Sequence, residues 1–430
     1  MGKKPSLVYF RLSLMMFLQY AVWGAWFPLA ARYLSATIEN GGLGFSGAEI
    51  GMILGLAGSI GAVSAPFIAG QIADRYFSTE RILAFLILVG GLVKWYTATQ
   101  TTYGSWLLLS ILYSILYMPT LALSNSITFS HLIDADRDFP KIRVWGTIGW
   151  IVAGLVISRF AWESKSILEY TFYLASIASI LLGIFSFLLP KTPPKAKSTN
   201  PSISEILGLD ALILLKDTRY LVFFISSILI SIPLAFYYQD ANMFLNELQI
   251  AKTLEQSSIL SSIGMTNAAG IMTLGQVSEA LFILLLPLFL NKYGIKKTLI
   301  VGMLAWSLRY VLFAFGDTGS NIWMLIFGIV LHGICYDFFF VSGQIYTDFK
   351  AGEKYKSSAQ GLIALATYGV GMLIGFTMAG IITSKFFVEE MGEIIGHDWK
   401  EIWAYPAIFA AVVLVIFILT FKNEKIIVKK

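Results

Sequence analysis

The sequence predicts an all-α membrane protein with twelve transmembrane helices arranged as two six-helix bundles. The chain is 57% hydrophobic and 13% charged, with a mean hydropathy of +0.73. A soluble protein keeps roughly 25% charged residues on its surface. Because this chain has too few charges to cover a water-facing surface, lipid must be its main solvent. Twelve apolar runs and one polar stretch halfway along the chain support the same prediction.

The apolar runs have the length of membrane spans, since a helix needs about 20 apolar residues to cross the hydrocarbon core. They cover residues 9–34, 48–72, 82–99, 105–130, 143–161, 167–189, 219–245, 257–290, 297–315, 321–347, 357–386 and 401–421. The eighth and eleventh runs exceed the minimum length. We therefore expect those two helices to tilt or to extend past the lipid.

The longest polar stretch runs from Lys191 to Arg219 and contains Pro193-Pro194 and Asn200-Pro201, which are turn and linker signals. It separates six predicted spans from six. The sequence thus predicts an N-terminal bundle at 1–190, a linker at 191–218 and a C-terminal bundle at 219–430. Within the linker, the apolar segment 206–216 is too short to span and is expected along the membrane surface.

The distribution of basic residues predicts the orientation. With both termini in the cytoplasm, 23 of the 31 lysines and arginines lie in cytoplasmic segments and six in outer segments, leaving Lys94 and Arg309 within spans. This bias predicts a multi-pass protein of a bacterial inner membrane. The net charge of +5 then reflects loops that face anionic lipid, and nucleic acid is not an expected partner.

A charged turn follows the second span and is echoed in the second half. Gly70, Asp74 and Arg75 stand in the string Gly70-Gln-Ile-Ala-Asp74-Arg75, and Asn291-Lys292-Tyr293-Gly294 occupies the matching place after the eighth span. Glycine permits close helix approach, while Asp74 and Arg75 can pair or cap helix ends. The alternative is a loop that merely sets topology. Such repeats are typical of transporters that work by alternating access.

Ionisable groups inside the spans are the main functional candidates, because each costs about 2.5–3.5 kcal/mol at mid-bilayer on insertion scales. In the tenth span, Asp337 lies among aromatic residues, and burial favours its proton-bound form. His332 and Tyr336 share one helix face with i, i+4 spacing. We interpret this segment as a proton site beside an aromatic solute pocket. The alternative is a structural carboxylate paired with Arg309 or another cation.

Amide and carboxylate side chains mark the seventh and eighth spans. Gln276 and Glu279 share a face at i, i+3, as do Gln239 and Asn242. Such groups suit a hydroxylated solute or a nucleobase, although amides could equally join neighbouring helices. Asp240 points away from the two amides and is expected near the membrane interface.

The fifth span begins with a stripe of Arg143, Thr147 and Trp150 at i, i+4 and i+7. The indole could stack on a planar ring, and Arg143 could hold a carboxylate or the ligand. Alternatively, Arg143 extends to the cytoplasmic interface. Lys94 and Arg309 are expected to be structural or to reach toward the interface.

The sequence lacks the motifs that would indicate a nucleotide-hydrolysing, metal-dependent or nucleophilic enzyme. The sequence has no phosphate-binding loop and no metal-ligand spacing, and no nucleophile–base pair stands out. Cys335 is the single cysteine. We therefore predict no enzyme activity, no cofactor and no metal site.

Taken together, the motifs resemble the bacterial nucleoside:proton symporters of the major facilitator superfamily. The matching strings, in chain order, are Tyr117-Met-Pro-Thr-Leu121, Asp138-Phe-Pro, Ile142-Arg-Val-Trp-Gly-Thr-Ile-Gly149, Leu207-Gly-Leu-Asp-Ala211, Asn242-Met-Phe244, Gln276-Val-Ser-Glu279, Leu281-Phe-Ile283, Tyr293-Gly-Ile-Lys296, Ala305-Trp306, Leu308-Arg309, Asp337-Phe-Phe339 and Ser358-Ala-Gln-Gly361. With the span pattern, the resemblance covers nearly the whole chain.

The resemblance implies a monomer that binds one nucleoside in a central cavity and couples its uptake to protons by alternating access. The positions that match the family's binding residues are Arg143, Thr147, Gln239, Asn242, Gln276, Glu279, Tyr336 and Asp337. Glu279 and Asp337 are the candidates for proton coupling. His332 stands where the family leads us to expect tyrosine, and Trp150 where it leads us to expect phenylalanine. Both keep a planar side chain, and His332 could also handle protons.

Three other functions compete with this interpretation. A proton-coupled sugar or oligosaccharide symporter is the nearest alternative, since the same amides and carboxylates bind hydroxyl groups. A drug:proton antiporter would have a more apolar cavity. A non-transporting receptor would bind nucleoside tightly without flux.

Overall fold

The computed structural model describes residues 6–66, 77–132, 135–193, 209–250, 253, 267–390 and 393–424. The predicted turn with Gly70, Asp74 and Arg75 and most of the predicted linker lie outside these residues. The chain divides into two compact units. Unit 1 comprises Met1–Phe45 and Leu56–Leu207, and unit 2 comprises Ser46–Gly55 and Gly208–Lys430.

The described residues are almost entirely helical. The helices are α1 Ser6–Ser35, α2 Gly47–Pro66, α3 Thr79–Ala98, α4 Tyr103–His131, α5 Ala135–Arg159, α6 Tyr170–Ser186, α7 Thr218–Glu247, α8 Ala268–Phe315, α9 Ile322–Gly352, α10 Ala359–Thr383 and α11 Trp399–Thr420. Short 3₁₀ turns cover Ile38–Asn40 and Leu209–Lys216. Two π-helical turns interrupt the α-helical pattern, Asp337–Val341 within α9 and Leu365–Gly371 within α10.

Each of the twelve predicted spans contains helix in its described part, and a few residues at the predicted ends are turns or bends. Ten of the described helices are long and apolar enough to cross a membrane, and α6, with 17 residues, is a shorter apolar helix. The 48-residue α8 contains residues 268–290 of the eighth predicted span and the whole of the ninth. Gly294 breaks it with φ 77° and ψ 171°, a conformation that glycine adopts without steric cost.

Unit 1 is held together by close packing of α1 on α5 and α6, and of α3 on α4 and α6. A Cβ at Gly149 would lie 2.1 Å from the carbonyl oxygen of Phe17, so only glycine allows α5 to approach α1 this closely. The core combines side chains from most of the unit's helices, among them Met15, Leu83, Tyr117 and Leu182.

Lys94 does not reach the interface, since its side chain is buried among aromatic rings of unit 1. Its Nζ lies 3.4 Å from the ring centre of Trp26 and 3.7 Å from that of Tyr113. The structural role predicted for Lys94 fits this position, whereas an extension toward water does not. Cation–π contacts of this kind contribute about 2 kcal/mol when desolvated.

Unit 2 is built from α7 to α11 together with the first part of α2. α7 packs on α10 and α11, and α8 packs on α9 and α11. A Cβ at Gly47 would lie 2.5 Å from the carbonyl oxygen of Gly380, which shows how closely the beginning of α2 approaches α10. The 3₁₀ turn before α7 buries Ala211 against Ala351, Ala359 and Leu362, so this end of the predicted linker is part of the folded unit.

A polar cluster joins three helix ends in unit 2. Lys350 Nζ lies 2.7 Å from both Asp217 Oδ2 and Glu424 Oε1, and Asp217 also caps α7 by accepting from the backbone N–H of Arg219. The hydrogen bond from Lys350 lowers the pKa of Asp217, which precedes the first residue of α7. Asp217 is largely exposed, so the cluster fixes the positions of the helix ends more than it adds stability.

The acidic segment before α11 has a composition typical of a loop but forms a two-stranded antiparallel hairpin. Its strands are β1 Phe387–Glu390 and β2 Glu393–His397. Glu247 at the end of α7 accepts hydrogen bonds from the backbone N–H of His397 at 3.0 Å and from Trp399 Nε1 at 2.7 Å. The hairpin is therefore attached to the end of α7.

Gly333 allows α8 and α9 to touch. A Cβ at this position would lie 2.6 Å from the backbone nitrogen of Glu279 and 2.6 Å from Ser278 Oγ. Ser278 Oγ donates to the carbonyl oxygen of Val330 at the same contact. This close approach brings Glu279 next to His332, one residue before Gly333.

We predict that Gly333→Val separates the two helices and lowers the melting temperature of the detergent-purified protein by several degrees. An overpacked core typically loses about 1–3 kcal/mol. Gly361→Ala is the matched control, because a Cβ there meets no atom within 4 Å. Since alanine is the better helix former, the control should melt at the wild-type temperature or slightly above it. Equal melting temperatures for both variants would contradict the close contact.

Candidate functional site

Unit 2 contains seven of the predicted site residues, on three helices. Gln239 and Asn242 lie on α7, Gln276 and Glu279 on α8, and His332, Tyr336 and Asp337 on α9. Gln239, Asn242, Gln276, His332 and Asp337 are buried, while Glu279 and Tyr336 are half-buried. Hydrophilic groups at this depth are costly, so they indicate a site within the unit.

His332 is the residue that brings several of these groups together. Its Nδ1 lies 2.9 Å from Arg309 Nη1, and its Nε2 lies 3.9 Å from Glu279 Oε2. The imidazole also stacks between two rings, at 5.3 Å from Tyr237 and 5.9 Å from Tyr336. A cation, an imidazole and a carboxylate thus stand in sequence across α8 and α9.

The contact with Arg309 determines where the imidazole carries its proton. A guanidinium is always charged and can only donate, so His332 Nδ1 must accept. A neutral imidazole that accepts at Nδ1 carries its hydrogen on Nε2. His332 therefore directs an N–H donor toward Glu279, and protonation of Nδ1 would break its bond to Arg309.

Arg309, expected from the sequence to be structural or to reach toward the interface, is the buried cation beside His332. It is fully buried, and its guanidinium lies 3.5 Å from the ring centre of Tyr237. A cation–π contact and a charged hydrogen bond contribute about 2 and about 1.5–3 kcal/mol, which together offset the insertion cost of about 2.5–3.5 kcal/mol. The sequence signal was an arginine inside an apolar run, but its partner lies on another helix.

Tyr336 and Asp337 follow His332 at the point where α9 changes to a π-helical turn. The hydroxyl oxygens of Tyr336 and Tyr368 are 2.7 Å apart, joining α9 to α10. Asp337 is fully buried at the first position of the π turn, and its backbone oxygen accepts from Ser342 Oγ at 3.2 Å. π turns occur frequently at functional sites.

The two amides of α7 differ in their surroundings. Asn242 Nδ2 lies 3.8 Å from Met272 Sδ on α8, and Asn242 Oδ1 accepts from Asn246 Nδ2 at 3.2 Å. Gln239 Oε1 is buried without a hydrogen-bond donor among the described residues. Asp240, expected near the interface, is fully buried against Thr383 of α10. Its side chain therefore faces a neighbouring helix.

Unit 1 places its three predicted site residues along α5, facing α1. Arg143 lies with its guanidinium 3.9 Å from the ring centre of Tyr20, and Trp150 packs edge-on against Trp23 with 5.7 Å between ring centres. Thr147, which lies between these two residues in the sequence, is half-buried. Arg143 is thus in contact with an aromatic ring of α1.

Buried carboxylates, amides and a cation inside a bundle of apolar helices define a membrane transporter. Among the described residues, no group of three or more His, Cys, Asp or Glu side chains could hold a metal ion. The family model "Nucleoside H+ symporter" matches residues 7–426. The chain belongs to this family, which confirms the resemblance seen in the sequence motifs.

Three proteins of Escherichia coli (strain K12) are similar to this chain over nearly its whole length. The putative nucleoside transporter YegT is 40% identical over 96% of this chain and 94% of its own. The xanthosine permease is 33% identical over 96% and 95%. Nucleoside permease NupG is 33% identical over 97% of this chain and 96% of its own.

The crystal structure of the nucleoside transporter NupG superposes with a TM-score of 0.79, covering 97% of this chain and 100% of the other at 31% identity. The fold class predicted from the sequence, twelve helices in two bundles with the major facilitator fold, is thereby confirmed. The protein is a transporter and not an enzyme.

We predict that His332→Gln is tolerated and that His332→Phe is not. Glutamine can accept from Arg309 and donate toward Glu279, whereas phenylalanine leaves the buried guanidinium without its acceptor, at a cost of about 1.5–3 kcal/mol. The apparent KM for uridine uptake at pH 7 should therefore rise about tenfold or more for phenylalanine and little for glutamine. Melting temperatures in detergent should follow the same order. Equal behaviour of the two variants would refute the assigned hydrogen positions.

Proposed function

We infer that this protein takes up nucleosides together with protons across the bacterial inner membrane by alternating access. The observation that carries this inference is the match to the nucleoside:proton symporter family over residues 7–426. The buried polar groups of unit 2 support it, because they supply hydrogen-bonding partners for a sugar and a base together with carboxylates that can take up protons.

We propose that Gln239, Asn242, Gln276 and Glu279 bind the hydroxyl groups or base edge of the nucleoside. Amides offer both donors and acceptors, as ribose and nucleobases do. Glu279 Oε2 lies 3.9 Å from Nε2 of His332, the nitrogen that carries the hydrogen. In unit 1, Arg143, Thr147 and Trp150 remain predicted substrate residues, with the indole as a surface on which a base can stack.

Glu279 and Asp337 are the proposed proton-coupling residues. Protonation removes the cost of keeping a carboxylate charged at low dielectric, so each can be neutral in one state of the cycle and ionised in another. For Glu279, ionisation also strengthens its attraction to the N–H of His332 and to the charge of Arg309 behind it. A membrane potential of 100 mV contributes about 2.3 kcal/mol for each charge moved inward.

The first test is uptake of radiolabelled uridine and adenosine by a transport-deficient bacterial strain, with and without a protonophore. We expect accumulation that the protonophore abolishes. An excess of either nucleoside should compete, whereas excess ribose or disaccharide should not. Competition by sugar alone would instead favour the sugar symporter, and uptake that ignores the protonophore would remove proton coupling.

The second test separates coupling from binding. In proteoliposomes, Glu279→Gln and Asp337→Asn should each lose accumulation driven by a pH gradient but keep nucleoside counterflow, because the neutral amides mimic the protonated acids. Glu401→Gln is the matched control, since this carboxylate is exposed in the first turn of α11. Wild-type accumulation in both variants would exclude these residues from coupling.

The proposed orientation, with both termini cytoplasmic, can be measured with thiol labelling. The single cysteine, Cys335, is buried, so a Cys335→Ser background permits single cysteines at Lys216→Cys and Lys400→Cys, both exposed positions. A membrane-impermeant maleimide should label the second in intact spheroplasts, and the first only after permeabilisation. The reverse pattern would place the termini outside.

A further inference from the structure

A second buried acid lies on α7, apart from Glu279 and Asp337. Asp240 is fully buried, and its Oδ1 accepts from the Thr383 hydroxyl at 3.3 Å, near the upper limit for a hydrogen bond. Its Oδ2 has no hydrogen-bond partner, and no lysine or arginine pairs with it, among the residues the structure describes.

The neutral acid fits these surroundings better than the ion does. A buried charge is stable only when it is paired or has several hydrogen bonds, and one long bond to a hydroxyl supplies little. A protonated carboxyl avoids that cost but then needs an acceptor for its own hydrogen. Burial therefore favours protonation of Asp240, and Oδ2, which has no hydrogen-bond partner among the described residues, is the oxygen that can carry the proton.

An acceptor is present in the adjacent side chain. The amide of Gln239 neighbours the Asp240 carboxyl, and Gln239 Oε1 is itself buried without a donor in the described part of the chain. One proton on Asp240 would satisfy both atoms, with the carboxyl O–H donating to Oε1. When Asp240 is ionised, the carboxylate can only accept, so the NH₂ group of Gln239 faces it in place of Oε1 and donates to it.

Other titratable groups face Asp240 at longer range. Glu247 lies seven residues along the same face of α7, about 10 Å away at 1.5 Å per residue. It is bound by His397 Nδ1 at 2.8 Å, and this pair is partly exposed. Tyr310 of α8 also faces Asp240, and its hydroxyl is already donated to the carbonyl oxygen of Pro233. Of these neighbours only His397 can carry a positive charge, and it is paired with Glu247, so it attracts Asp240 only at longer range.

We propose that Asp240 is a further proton-binding residue and that its protonation sets the orientation of the Gln239 amide. The protonated acid holds Oε1, leaving the NH₂ group available to the solute. The ionised acid holds the NH₂ group, leaving Oε1 available. Binding of one proton thus converts Gln239 from an acceptor to a donor for the solute. This proposal rests on the proposed role of Gln239 in binding nucleoside.

The test compares Asp240→Asn with wild type in proteoliposomes, with Glu401→Gln as the control. The apparent KM for uridine should vary with external pH between 6 and 8 in wild type and in the control, and less steeply in Asp240→Asn, in which Glu279 and Asp337 still bind protons. The number of protons per nucleoside, measured from the reversal potential, should fall by one. Unchanged pH dependence and unchanged stoichiometry in Asp240→Asn would overturn the proposal.

A second variant covers the case in which Asp240→Asn does not fold. Thr383→Val removes the hydroxyl that favours the ionised form, so the pH midpoint of the KM profile should move upward. A midpoint equal to that of wild type would overturn the proposal. A wild-type protein that ignores the proton gradient would instead refute symport itself, so the two failures are distinguishable.

Discussion

Arg309 carries a permanent charge into the apolar interior of unit 2, and the arrangement of the site depends on how that charge is held. Tyr237 covers one face of the guanidinium, and His332 accepts one of its N–H groups. Together the two contacts offset the expected insertion cost of the charge. The same contacts fix the ring orientation and the hydrogen position of His332. Arg309 thereby polarises the neutral imidazole. The N–H of His332 on the side of the ring that faces Glu279 becomes a stronger hydrogen-bond donor.

This arrangement also depends on residues that carry no polar group. Gly333 lets α9 approach α8 until Glu279 and His332 are neighbours, and Gly275 accommodates the His332 side chain from the opposite helix, since a Cβ there would lie 3.1 Å from His332 Cβ. In unit 1, Gly24 has the same function beneath Trp150. Small residues thus determine how precisely the polar side chains are positioned, which is a general feature of helix packing in membranes.

The sequence was sufficient to predict the helices and the burial of most polar candidates. Apolar runs of fixed length and the high cost of buried polar groups are local properties that can be read residue by residue. Which polar side chains contact each other is not a local property. Arg309 and His332 lie 23 residues apart on α8 and α9, so no spacing rule could connect them. The contact of the buried Asp240 side chain with Thr383 of α10, 143 residues away, likewise follows from no local pattern. The hairpin at Phe387–His397 was missed because its acidic composition is typical of a loop.

The π-helical turn at Asp337–Val341 has a consequence for how α9 can move. A π turn holds one residue more per turn than an α-helix, with weaker and less regular hydrogen bonds. Shifting that extra residue by one position rotates the intervening side chain by roughly 100° about the helix axis without breaking the helix. Asp337 is at the first position of the turn, so migration of the π turn by one residue would rotate its side chain. The π turn therefore allows the side chain of Asp337 to rotate about the axis of α9 while the helix stays intact.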